Sequence, residues 1–222
     1  MKRATRYWVV AVIMVLAGFV GQLGGPMVVT ANAAHAVEVQ GVGASYGEWS
    51  ARWWEWALSI PAAQNPILDQ TGANCGQGQV GNVWFLAGTF GGNVSRVCTI
   101  PAGKPLFFPL INNISFSPGV NETTIDLRKQ AADLVNHVST LACTIDHKPC
   151  AAKLFEFRAQ SPIFEAIVPT GGLVDPALYN PMVADGYWML LDPLKPGIHD
   201  LTFGATTDNG FSTSVTYQLY VP

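Results

Sequence analysis

The sequence predicts a mainly β domain: antiparallel sheets in a β-sandwich or jelly-roll-like arrangement, with two packed helices at about 45–60 and 124–141. Three observations carry this expectation. Short apolar or alternating runs recur between turns rich in glycine and proline, of which the chain has 22 and 15. Two stretches, in contrast, repeat their apolar residues at helical spacing. The Asp208-Asn209-Gly210 turn leads into the alternating residues Val215, Tyr217, Leu219 and Val221, an antiparallel hairpin pattern.

Taken in order, residues 1–34 read as a signal peptide. Lys2, Arg3 and Arg6 precede an apolar run from Tyr7 to Val20, Gly24-Gly25-Pro26 breaks it, and small residues follow. The run is shorter than the ~20 residues of a spanning helix. Cleavage after Ala33, Ala34 or Ala36 would leave one domain, 35–222, with no stable membrane span, in a secreted or periplasmic location. A short strand is expected at 37–42.

Ser45 and Glu48 then form a capping box that starts the first helix, and Pro61 ends it. Trp49, Trp53, Trp56 and Ile60 share one side and read as core. Glu48, Arg52, Glu55 and Ser59 share another, with Glu48 and Arg52 spaced for an i,i+4 ion pair. Trp54 falls on neither side. It is the tryptophan expected to meet a ligand, and Trp54, Arg52 and Glu55 form the expected binding set. On this reading loss of Trp53 is costly and loss of Trp54 much less so.

A long Gly/Asn/Gln-rich loop spans 65–81. Strands follow at 83–90, 94–100 and 105–111, and the prolines of the third imply an edge position or a bulge. Leu127, Ala131, Leu134, Val138 and Leu141 give the second helix its apolar face. Residues 143–150 close a small loop. Extended stretches at 153–159, 164–168, 187–191, 198–206 and 212–221 complete the domain.

Cys75, Cys98, Cys143 and Cys150 are even in number and follow an export signal, so two disulfides are expected. Of the three pairings, Cys75–Cys98 and Cys143–Cys150 join sequence neighbours and are favoured. No zinc-like Cys/His spacing occurs, and no cofactor is implied. The formal charge is −3, and loss of the basic signal residues makes it about −6. An acidic chain without a basic run is not built for nucleic acid.

The segments RWWEWALSIP, NPILDQTGANC, VWFLAGTFGG and CTIPAGKPLFFPLIN resemble a family of uncharacterised secreted bacterial single-domain proteins. The resemblance covers about the first half of the mature chain. It implies secretion and a single domain, and it implies no activity.

Three constellations bear on catalysis. Gly43-Ala44-Ser45-Tyr46-Gly47 matches the G-x-S-x-G nucleophile elbow, with Asp192 and His199 in the required order. That elbow needs several sheet strands before it, and Ser45 has a complete role as a helix cap. Cleavage after Ala34 would make His35 the N-terminal residue and, with His199, His137 or His147, a nitrogen site suited to Cu(II). Glu156 and Glu165, or Asp192 and Asp200, could pair as glycosidase carboxylates. Simpler roles account for each: solvated strand and turn residues for the acids, a hydrogen-bonded strand histidine for His199.

The favoured function is therefore a non-catalytic binding module for a carbohydrate or protein ligand, because aromatic residues beside Asn and Gln suit sugars. The alternatives are a secreted glycan-active enzyme using carboxylates or copper, and a structural envelope protein partnered within the envelope.

Overall fold

A computed structural model describes residues 43–116 and 123–222. The expected signal peptide, the strand at 37–42 and His35 lie outside the described residues. The described chain is a β-sandwich with two helices. Its first sheet has the order β1 (Trp84–Phe85), β3 (Leu106–Phe116), β8 (Ala177–Leu191), β6 (Arg158–Gln160), and β7 (Phe164–Val168) also pairs with β8. The second has the order β2 (Gly92–Thr99), β10 (Ser212–Val221), β9 (Gly197–Thr207), β4 (Val138–Ile145), β5 (Lys148–Pro149).

Both sheets are mixed, not wholly antiparallel as expected. β1 runs parallel to β3, and β2 parallel to β10. The chain leaves β1, crosses to the other sheet as β2 and returns as β3, so no hairpin forces the first pair to reverse direction. β2 and β10 come from opposite ends of the domain, and again no tight turn constrains them.

Three layers result. Phe108, Met189, Leu201, Phe203, Tyr217 and Leu219 fill the space between the sheets. On the other face of the first sheet lies α1 (Tyr46–Ser59), whose Trp49, Trp53, Trp54 and Trp56 pack with Phe107, Met182 and Trp188. The second helix, α2 (Thr124–Asn136), packs on β3 and β8. Its Leu127 and Ala131 meet Val183, while Leu134 and Val135 join the inter-sheet core.

The second helix stops at Asn136, short of the expected Leu141, with His137 as its C-cap. Val138 and Leu141 fit a helical period, but Val138, Thr140, Thr144 and Ile145 are β-branched and pack better on a pleated surface. Residues 138–145 accordingly pair with β9. The 143–150 loop is the end of the β4–β5 hairpin. Its disulfide joins Cys143 to Cys150, and Cys75 joins Cys98.

The prolines of β3 produce a bulge and not an edge: the register with β8 slips between Pro109 and Ile111. Leu110 and Ile111 both face the inter-sheet core as a result. β8 begins ten residues before the expected 187, since Pro181 and Gly186 mask the extended pattern. Within the expected 153–159 strand, Leu154–Phe157 forms a 3-10 turn before β6. The apolar 83–90 run contributes only Trp84–Phe85 to a ladder.

Candidate functional site

The capping box of α1 is present as expected. Ser45 Oγ accepts from the Glu48 N–H, and the Glu48 carboxylate accepts from the Ser45 N–H at 2.7 Å and its hydroxyl at 2.9 Å. That leaves Arg52 without Glu48 as a close partner, and its guanidinium lies 4.6 Å from the centre of the Trp49 ring instead. The rest of α1 is walled in. Trp53 Nε1 donates to Leu86 O at 3.0 Å, Trp56 Nε1 to Gln77 O at 2.8 Å, and the buried Asn65 amide to Ala57 O and Ile60 O. Glu48, Arg52, Glu55 and Ser59 are the only exposed residues of the helix.

This stripe borders a groove of about 670 Å³, within the roughly 300–1,000 Å³ range of ligand sites. Arg52, Glu55, Trp56 and Ser59 form the helix wall; Gly78, Val80, Gly81 and Asn82 form the other. The second wall is tied down. The Gln79 amide donates to Cys75 O and Phe85 O and accepts from the Phe85 N–H, and the Cys75–Cys98 disulfide anchors the loop to β2. Gly78 has φ 62°, and a Cβ there would lie 3.2 Å from the Ile60 side chain and 3.3 Å from that of Trp56. Only glycine lets this wall come so close.

Trp49, Trp56 and Phe85 are 8%, 6% and 6% exposed, so little aromatic surface is open to the groove, and Arg52 lies over the Trp49 ring. The reachable polar groups are Arg52, Glu55, Ser59 and the loop. Burial pushes the Glu55 carboxyl above its usual value; Arg52 opposes that shift and the charge of Glu165 adds to it.

Of the expected binding set, Arg52 and Glu55 come together in this groove and Trp54 does not. Trp54 is 4% exposed and packs edge-on against Trp53, ring centres 5.1 Å apart. Its side of the helix carries no charge, since Gly47, Ser50, Ala51 and Leu58 surround it, and the domain buries that side too. It lines a narrow cleft of about 40 Å³, room for about three water molecules at roughly 10–15 Å³ each. The polar stripe is the sequence signal that locates the groove; the docking of residues 78–82 against it has no local signal.

The other candidates disperse. Ser45 is occupied by its cap. Glu156 pairs with exposed Lys153 at 3.0 Å, and Glu165 accepts from Asn180 at 2.7 Å. His199 Nδ1 lies 2.7 Å from Asp146 Oδ2 and its Nε2 lies 2.8 Å from Lys195 O. Both ring nitrogens are thus engaged by oxygens that can only accept, a geometry that requires the imidazolium.

These bonds raise the His199 pKa, chiefly through Asp146, and the hydrogen bond from His199 lowers that of Asp146 despite partial desolvation. The histidine's contribution to stability is complete below about pH 6.5 and fades as pH climbs through its raised pKa. The aspartate's is complete above about pH 4 and fades as pH falls through its lowered one. Thermal melts of wild type and His199→Gln should therefore differ most between about pH 4.5 and 6.5, by less than about 1 kcal/mol because the Asp146 carboxylate is half exposed, and the difference should shrink as pH climbs above that window. A difference that is constant from pH 5 to 9 would contradict the charged clip.

Among the described residues, no helix is long and apolar enough to cross a membrane, and no group of three or more His, Cys, Asp or Glu is placed to hold a metal. No sequence family, curated protein or solved structure matches the chain.

Proposed function

We propose that the protein is a non-catalytic binding module of an oxidising, extracytoplasmic compartment, and that the groove beside α1 takes a carbohydrate. One observation carries the reading: the single exposed stripe of an otherwise buried helix opens onto a preformed groove of about 670 Å³. Fixed walls lower the ordering cost of binding. Charged side chains, a serine hydroxyl and loop amides supply directional hydrogen bonds, and the small exposed parts of Trp49, Trp56 and Phe85 supply apolar contact. Two disulfides suit an oxidising compartment.

Calorimetric titration of the purified domain against soluble neutral oligosaccharides tests the site. Wild type and Ser59→Trp are run side by side, since a tryptophan at this exposed helix position fills the groove without touching the core. Saturable binding that Ser59→Trp weakens at least about 100-fold is expected for a blocked site. Binding that Ser59→Trp leaves intact would place the ligand elsewhere. No heat with any glycan, from a protein that melts cooperatively, would remove the carbohydrate reading.

A further inference from the structure

Arg52 and Glu55 lie three residues apart on α1 and are the only charged side chains that line the groove. That spacing puts their Cβ atoms about 5–6 Å apart. Yet no ion pair within 4.0 Å joins them, and neither side chain has a hydrogen-bond partner among the described residues. Arg52 is held by the Trp49 ring at 4.6 Å, and the Glu55 carboxylate is partly withdrawn from water. The groove therefore presents, side by side, a planar set of donors that cannot accept and a carboxylate that cannot donate.

We propose that this pair recognises two adjacent hydroxyls of a neutral pyranose, one accepting from Arg52 and its neighbour donating to Glu55. The inference rests on the carbohydrate reading of the groove and sharpens it. A hydroxyl both donates and accepts, so a vicinal diol satisfies both groups without carrying charge into the groove. A uronic acid would suit Arg52 and repel Glu55; an amino sugar would suit Glu55 and repel Arg52. A free amino acid could bridge the two charges but would leave most of a 670 Å³ groove unfilled. A chain of several sugar rings fills it, with Ser59 and Asn82 placed to meet further hydroxyls. Glu55 and Trp56 line the same wall, with Trp49 and Phe85 also bordering the groove, so the diol sits at its aromatic part.

The test is a cycle of ligands and variants. A neutral oligosaccharide that binds the groove is compared with analogues lacking one ring hydroxyl, on wild type, Arg52→Ala and Glu55→Gln. On wild type, removing one hydroxyl of the recognised pair should weaken binding about 10- to 100-fold, the range for a hydrogen bond to a charged group. Each variant should weaken the parent sugar similarly and erase the difference between the parent and the matching deoxy analogue. Uronic and amino-sugar counterparts should bind more weakly than the neutral sugar. Two results overturn the proposal while leaving the groove as the site: binding that Ser59→Trp abolishes but Arg52→Ala and Glu55→Gln leave unchanged, or a zwitterionic amino acid that outcompetes the neutral sugar. Loss of all glycan binding to wild type would instead fail the parent reading.

Discussion

Replacing Arg96 by methionine should destabilise the domain by about 3–5 kcal/mol, the cost of breaking a buried hydrogen-bond network and orphaning several of its acceptors. Arg96 is 2% exposed and lies on the inward face of β2. Its Nε donates to Asp69 O at 2.7 Å, Nη1 to Ala87 O, Gly88 O and Tyr217 Oη, and Nη2 to Ile67 O at 3.0 Å. Four backbone carbonyls from two segments without regular structure thus converge on one side chain. Methionine replaces much of the volume and none of the donors. Each orphaned acceptor costs about 1–3 kcal/mol where water cannot reach it. Ala87 O keeps the Tyr217 hydroxyl as a donor at 3.1 Å, which limits the total.

Arg96→Lys should recover less than half of the loss, because one ammonium cannot reach acceptors that the planar guanidinium spans. Urea denaturation measures both. A loss below about 1 kcal/mol for Arg96→Met would mean that solvent already reaches those carbonyls. The same side chain fixes Ile67 and Asp69, at the start of the loop that walls the groove, so glycan affinity should fall with stability.

Features written in neighbouring residues were legible in the sequence. Ser45, Glu48 and Pro61 mark both ends of α1 within its own segment. The two disulfides join the nearest cysteines, and Asp208-Asn209-Gly210 fixes the last hairpin. What escaped depends on distant partners. Val138 and Leu141 fit a helix and a strand equally well until β9 supplies the ladder. Parallel pairing of β2 with β10 has no turn to announce it. Arg96 shares its parity with Val94 and Cys98, which implies burial, but its backbone acceptors lie up to 29 residues away and the Tyr217 hydroxyl 121. For the candidate site, Arg52 and Glu55 were legible as the polar stripe. The opposing wall was not, because it hangs on a contact between Trp56 and Gln77 across 21 residues.

Trp53→Ala should cost about 3–5 kcal/mol, the range for deleting a large buried aromatic ring. Trp53 is 1% exposed, and its ring meets Trp54, Trp56 and Trp188 at centroid distances of 5.1, 5.7 and 5.7 Å. Alanine leaves a cavity between α1 and the first sheet and strips Leu86 O of its indole donor. The sequence alone implies a much smaller loss at Trp54, whereas its burial implies one of similar size for Trp54→Ala. Phenylalanine separates the two sites. At Trp53 it leaves a buried carbonyl unpaired and should cost about 1–3 kcal/mol beyond the lost packing. The Trp54 Nε1 has no hydrogen-bond partner, so Trp54→Phe loses packing alone and should be the milder change. If Trp54→Ala melts within a degree or two of wild type, the face of α1 turned from the groove is not packed as described. Loss at Trp53 alone would return Trp54 to the surface and make it available to a ligand.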